Sequence, residues 1–91
     1  MDENGYPDDD ELEKIRNWPP DNNFEGLMDY VKRLWHWPEY FKQDGAKKYT
    51  LVTGGWSGNE DLIEALNSNY LFWILWWESS TRGGKHVFRR L

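Results

Sequence analysis

Cysteine is absent from this 91-residue chain, which excludes disulfides, thiolate metal sites and cysteine nucleophiles. Histidine occurs only at His36 and His86, and neither lies in a metal-binding spacing such as His-Glu-x-x-His. The longest apolar run, residues 70–77, is far shorter than the roughly 20 residues that span a bilayer. No basic segment followed by an apolar one opens the chain, so no signal peptide is predicted. These absences favour a cytoplasmic protein with no cofactor and no membrane segment.

Acidic and basic residues are segregated along the chain. Residues 1–13 carry seven acids and no base, residues 79–91 carry four bases and no acid, and the net charge is −5. Because acidic stretches stay solvated, residues 1–7 are predicted to be a flexible acidic tail and residues 8–91 a single domain. An alternative is that the tail docks on a basic surface. The negative charge argues against direct nucleic-acid binding, since phosphate contacts dominate such affinity.

Local patterns predict three helices and one clear strand. Capping residues and apolar spacing predict helices over residues 9–17, 23–36 and 58–67. The β-branched and aromatic residues of segment 48–53 predict a strand. Residues 39–45 are predicted to form a helical turn that ends at an Asp-Gly pair.

Residues 70–77 are apolar at every position, which fits either a strand buried on both faces or a buried helix. A helix would need apolar neighbours on all sides, which so small a domain can hardly supply. Their aromatic content and the turn at 82–84 favour a strand over 70–78 that pairs with 85–90. The prediction is therefore a small α+β domain whose three-stranded, mostly antiparallel sheet consists of 48–53, 70–78 and 85–90. Such a sheet would leave one aromatic face uncovered, which suggests a homodimer through that face.

The main candidate site is a glycine turn, defined as residues 53–60, with the sequence Thr-Gly-Gly-Trp-Ser-Gly-Asn-Glu. Its three glycines indicate positive φ angles or close backbone approach. Ser57 and Glu60 have the spacing of a capping box, which would open a helix whose N–H groups meet a ligand or partner. The acids in the first helical turn and the lack of a lysine argue against a phosphate ligand. Trp56 is either a packing residue or a contact residue, and its exposure decides between the two.

This turn also carries a resemblance. Together with Phe72-Trp73, Trp77-Glu78-Ser79-Ser80 and Arg82-Gly83-Gly84, it resembles small uncharacterised proteins encoded by bacteriophages and prophages, over about residues 48–88. The resemblance implies a small accessory protein of a mobile element that acts in the bacterial host cell. Genes of this kind often encode proteins that bind and inhibit host defence machinery, including anti-CRISPR proteins.

Three functions are predicted from these features. The first is a protein-binding module without enzymatic activity, an inhibitor or modulator of a bacterial host protein. The second is a small-ligand-binding domain that uses the glycine turn. The third is a small hydrolase built on Ser57 or Glu60 with His86, although no catalytic residue is assigned. The candidate binding residues for a partner or ligand are Trp56, Ser57, Asn59, Glu60 and Arg82.

Overall fold

The computed structural model describes residues 1–90, apart from the side chain of Asn22, as four α-helices and one antiparallel sheet. The helices are α1 (Asp9–Arg16), α2 (Phe24–Leu34), α3 (Ser57–Ser68) and α4 (Tyr70–Trp76). The strands are β1 (Phe41–Asp44), β2 (Lys48–Val52), β3 (Trp77–Thr81) and β4 (Lys85–Arg89), in the spatial order β1-β2-β4-β3. The predicted α+β class is confirmed.

The three predicted helices are confirmed as α1, α2 and α3, with small shifts at their ends. A capping box begins α1, because the Asp8 carboxylate accepts from the Glu11 N–H at 2.9 Å and the Glu11 carboxylate accepts from the Asp8 N–H at 3.0 Å. Helix α2 ends two residues before the predicted boundary. There the C-cap residue Trp35 is extended, with φ −70° and ψ 127°, and this conformation does not continue a helix.

The predicted strand over 70–78 is wrong, because α4 occupies most of it and β3 begins only at Trp77. Asn69 explains the start of the helix, since its side-chain oxygen accepts from the Phe72 N–H at 3.3 Å. The Asn69 side chain also donates to the backbone oxygens of Ile15 and Trp18, which ties it to the end of α1. Tertiary anchoring therefore overrides the β propensity of this segment.

The sheet has four strands and not the three predicted. Segments 48–53 and 85–90 are confirmed as β2 and β4, but only Pro38–Tyr40 forms the helical turn expected at 39–45. Phe41–Asp44 is β1, in which Phe41 lies opposite Leu51 of β2 and is buried with it. Burial of the Phe41 side chain therefore holds this short polar segment in the sheet. The strand has no alternation of apolar and polar residues.

The helices cover one face of the sheet. Tyr49, Leu51 and Phe88 point to this inner face and join the apolar side chains of all four helices in one core cluster. The outer face carries Thr50, between Lys42 on β1 and Val87 on β4. The uncovered aromatic sheet face that suggested a homodimer is therefore not present among residues 1–90.

The N-terminal segment, residues 1–7, lies along the domain. The Asp2 carboxylate accepts from the N–H groups of Asn4 and Tyr6, both at 2.9 Å. The terminal ammonium of Met1 pairs with the carboxylate of Asp8, at 3.2 Å. The flexibility of this segment stays a prediction. Within residues 1–90, no helix is both long and apolar enough to cross a membrane.

Candidate functional site

The glycine turn joins β2 to α3, and its backbone has the geometry that the glycines predicted. Gly54 and Gly55 have φ angles of 65° and 76°, values that favour glycine. The Thr53 N–H donates to the Gly84 oxygen at 3.0 Å, and a Cβ atom on Gly84 would clash with the Thr53 hydroxyl. The glycine turn and the β3–β4 hairpin turn are therefore packed directly on each other.

Trp56 is half-buried among aromatic side chains of other segments. Its ring centroid lies 4.4 Å from that of His36, in a stacked arrangement, and 4.6 Å from that of Tyr6. His36 in turn contacts Trp37 edge-on at 4.7 Å. Trp56 thus joins the N-terminal segment to the end of α2, so internal partners use much of its surface.

Asn59 is fully buried, with 0% of its surface exposed. Its side-chain oxygen accepts from the His36 N–H at 2.9 Å, and its amide group donates to the backbone oxygens of His36 at 2.9 Å and Thr53 at 3.3 Å. Buried backbone groups need such partners. Asn59 therefore fixes the segment after α2 against the glycine turn and is not open to a ligand.

The predicted capping box of Ser57 and Glu60 is wrong. Helix α3 begins at Ser57 itself, so the N-cap is Trp56, which makes no side-chain hydrogen bond to the first turn. The hydroxyl of Ser57 instead lies 3.1 Å from the hydroxyl of Tyr6. Glu60 occupies the first turn of α3 as an exposed acid, a position where negative charge stabilises a helix.

Arg82 lies at the exposed tip of the β3–β4 hairpin. Among residues 1–90 its guanidinium makes no hydrogen bond or ion pair. The hairpin reaches the glycine turn through the backbone of Gly84 and not through Arg82. The five predicted site residues thus lie in two adjacent turns, with Asn59 directed inward.

The pairing of Ser57 with His86 that the hydrolase alternative requires is not formed, since the His86 ring contacts Ser80. The Ser80 hydroxyl accepts from Nε1 of Trp77 at 2.8 Å and lies within hydrogen-bond distance, 2.8 Å, of Nδ1 of His86. Burial lowers the pKa of His86, and the charge of Glu60 opposes this shift. No carboxylate of residues 1–90 hydrogen-bonds the ring, so the pair lacks the group that orients a catalytic histidine.

No group of three or more His, Asp or Glu side chains suited to hold a metal ion occurs in the part of the chain that the structure describes.

The outer face of α4 exposes apolar side chains that are not among the five predicted site residues. Tyr70 is 76% exposed and Ile74, one helical turn later, is 58% exposed. Phe72 and Trp76, on the opposite side of the helix, are buried in the core. We call the exposed surface the α4 patch; its members are Tyr70, Leu71, Ile74, Leu75 and Trp77.

No protein-family model, curated protein or solved structure matches this chain. The resemblance to phage proteins therefore stays a prediction from the motif.

The two candidate surfaces differ in what remains open to a partner. At the glycine turn, Asn59 is buried and Trp56 is half-covered by Tyr6 and His36. At the α4 patch, five large apolar side chains are exposed. Tyr70, Leu71, Ile74 and Leu75 share one side of α4 by helical spacing, and Trp77 follows at the start of β3. Contiguous exposed apolar surface of this kind marks interaction sites. The sequence signal was the uninterrupted apolar run itself, since a short helix at the surface of a small domain cannot bury every side.

Proposed function

We propose that this chain is a small protein-binding module whose contact surface is the α4 patch. The observation that carries the proposal is the exposure of Tyr70 and Ile74, at 76% and 58%, on a helix that contains no charged residue. Removing apolar surface from water contributes roughly 25 cal/mol per Å². A partner that covers these side chains therefore gains affinity without having to neutralise a charge on α4.

The packing of α4 against the core supports its role in a specific protein contact. Phe72 and Trp76 anchor the buried side of the helix to Phe24, with ring centroids 5.4 and 6.2 Å away. The side chains one turn apart on the outer side thus stand on a fixed backbone. A preordered surface loses less conformational entropy when it binds. An apolar helix face of this kind fits a hydrophobic groove on a partner.

The partner that we propose is a protein of the bacterial host cell, bound in the cytoplasm and inhibited or modulated by the contact, as a phage-encoded antagonist of host defence would do. Support for this part comes from the resemblance of the glycine turn and its associated segments to phage proteins. The two alternatives gain no support from the contacts, because Ser57 pairs with Tyr6 and not with His86, and Asn59 is buried.

The test compares two exposed tyrosines. We expect Tyr70→Ser to reduce capture of bacterial proteins from a lysate by at least about tenfold, since aromatic anchors at interfaces are worth about 2 kcal/mol or more. The matched control is Tyr40→Ser, which removes a tyrosine that is 41% exposed outside the α4 patch and is expected to capture as the wild type does. Quantitative mass spectrometry of the captured proteins is the measurement.

Two outcomes contradict the proposal. One is equal capture by Tyr70→Ser and the wild type. The other is a wild-type dimer in sedimentation that Tyr70→Ser converts to a monomer, because the α4 patch would then be covered by a second copy of the chain and not by a host protein.

A further inference from the structure

The outer face of the sheet has a shallow pocket. Unlike the apolar α4 patch, it is lined in part by lysines. Its volume is about 420 Å³, and its lining residues are Tyr40, Lys42, Thr50, Val52 and Lys85. This volume falls within the range of small-ligand sites. Because the helices pack on the opposite face of the sheet, no helix covers the pocket.

Two lysines flank the strand at the floor of the pocket. Lys42 lies opposite Thr50 from β1, and Lys85 lies opposite Val52 from β4, so they approach β2 from its two sides. Strands on either side of a central strand are about 10 Å apart, a gap that two lysine side chains can span towards one anion. Neither ammonium forms an ion pair with residues 1–90, and no carboxylate lines the pocket. In a chain of net charge −5, this makes the pocket a local concentration of positive charge.

The remaining lining residues supply an apolar floor and a ring. Tyr40 is 41% exposed, and its ring centroid lies 5.8 Å from that of Trp37, which contacts it edge-on. Val52 is half-buried beside Lys85. The Thr50 hydroxyl lies between the two lysine strands and can both donate and accept a hydrogen bond. The pocket therefore combines a surface for a flat ring with donors for an anion.

We infer that this pocket binds a small aromatic anion, a flat ring that carries a phosphate, carboxylate or sulfate group. The anionic group lies over Thr50 between the ammonium groups of Lys42 and Lys85. The ring packs on Tyr40 and Val52. A nucleotide has this chemistry, either free or as one unit of a single strand, and charge-assisted hydrogen bonds to lysine are the stronger part of its recognition.

Isothermal titration calorimetry separates the parts of this recognition. The probes are adenosine 5′-monophosphate, adenosine, inorganic phosphate and an eight-residue single-stranded oligonucleotide. We expect adenosine monophosphate to bind at least about tenfold more tightly than adenosine or phosphate alone, because it alone engages both the ring surface and the lysines. Tighter binding of the oligonucleotide that Lys85→Gln also weakens assigns the ligand to a strand; weaker binding of the oligonucleotide assigns it to a free nucleotide.

The variants are Lys85→Gln and its matched control Lys47→Gln, which removes an exposed lysine that does not line the pocket. Lys85→Gln should weaken binding of adenosine monophosphate about fivefold, whereas Lys47→Gln should change it by less than about twofold. Equal weakening by both variants, phosphate binding as tight as that of the nucleotide, or no nucleotide binding at all would overturn the inference. None of these outcomes bears on the α4 patch.

Discussion

The glycine turn and α4 are both rich in aromatic and apolar side chains, but they direct them differently. At the glycine turn, Trp56 contacts Tyr6 and His36, and Asn59 hydrogen-bonds the backbone of two segments. On α4, Phe72 is buried while Tyr70, two residues earlier, is 76% exposed. The glycine turn thus packs neighbouring segments against each other, whereas α4 exposes side chains to solvent. The unusual composition of the glycine turn reflects the backbone geometry that it must adopt. A surface that is open to a partner instead requires side chains, as on α4, that the fold leaves exposed.

The largest loss of stability expected at the glycine turn is that of Asn59→Ala. This change leaves the part-buried N–H and carbonyl groups of His36 and the buried Thr53 oxygen without their partner, and an unsatisfied buried group costs about 1–3 kcal/mol. We expect the free energy of unfolding, measured with urea, to fall by about 3 kcal/mol. Ser57→Ala is the control, because this exposed hydroxyl contacts only Tyr6 and should cost less than about 0.5 kcal/mol. Similar losses of free energy of unfolding in the two variants would show that Asn59 does not hold the glycine turn against the segment after α2.

A smaller effect is expected from Gly54→Ala. A Cβ atom at Gly54 would lie 2.6 Å from the Trp37 ring, whereas a Cβ atom at Gly55 would meet nothing within 4 Å. Both glycines have positive φ, so alanine at either costs about 1–2 kcal/mol of backbone strain. Crowding against the Trp37 ring, which is 36% exposed and can shift, adds about 1 kcal/mol at Gly54 alone. Thermal or urea unfolding should rank Gly54→Ala below Gly55→Ala, and equal stabilities would mean that Trp37 is not packed on the turn.

The smallest effect expected is a pH dependence from His86. Burial holds the pKa of His86 below its ordinary value near 6.5, so the unfolded chain takes up a proton at a higher pH than the folded one. The free energy of unfolding should therefore decrease as the pH falls below about 6.5 towards the pKa of the folded state. His86→Gln should flatten this part of the profile. Asp8 and Glu78 have lowered pKa values and titrate well below this window; an unchanged decrease in His86→Gln would exclude His86 as its source.

Local signals predicted the elements that local contacts determine. The capping residues of α1 and α2, the apolar spacing of the first three helices and the β-branched residues of β2 lie within or next to each element, so they could be read from the sequence. Strand β1 could not, because only Phe41 of its four residues is apolar and its partner strand supplies the stability. The identity of α4 depends on Asn69, which is anchored to residues more than 50 positions away.

The same limit applies to the candidate site. The positive φ angles of the glycine turn were predictable from the glycines, but the burial of Asn59 required knowledge of where α2 ends. A domain this small does not cover a helix at 70–77 on all sides, and the exposed α4 patch is the uncovered side. The segment forms a helix nevertheless, with one of its sides left exposed to solvent.

The central claim, that the glycine turn holds the fold while the α4 patch is free, is tested most directly by urea unfolding of two alanine variants side by side. Trp56→Ala removes a half-buried ring with two aromatic contacts and should lower the free energy of unfolding by about 2 kcal/mol. Ile74→Ala, at a 58% exposed helix position, should change it by less than about 0.5 kcal/mol. The reverse order, a stable Trp56→Ala and a destabilised Ile74→Ala, would contradict the account.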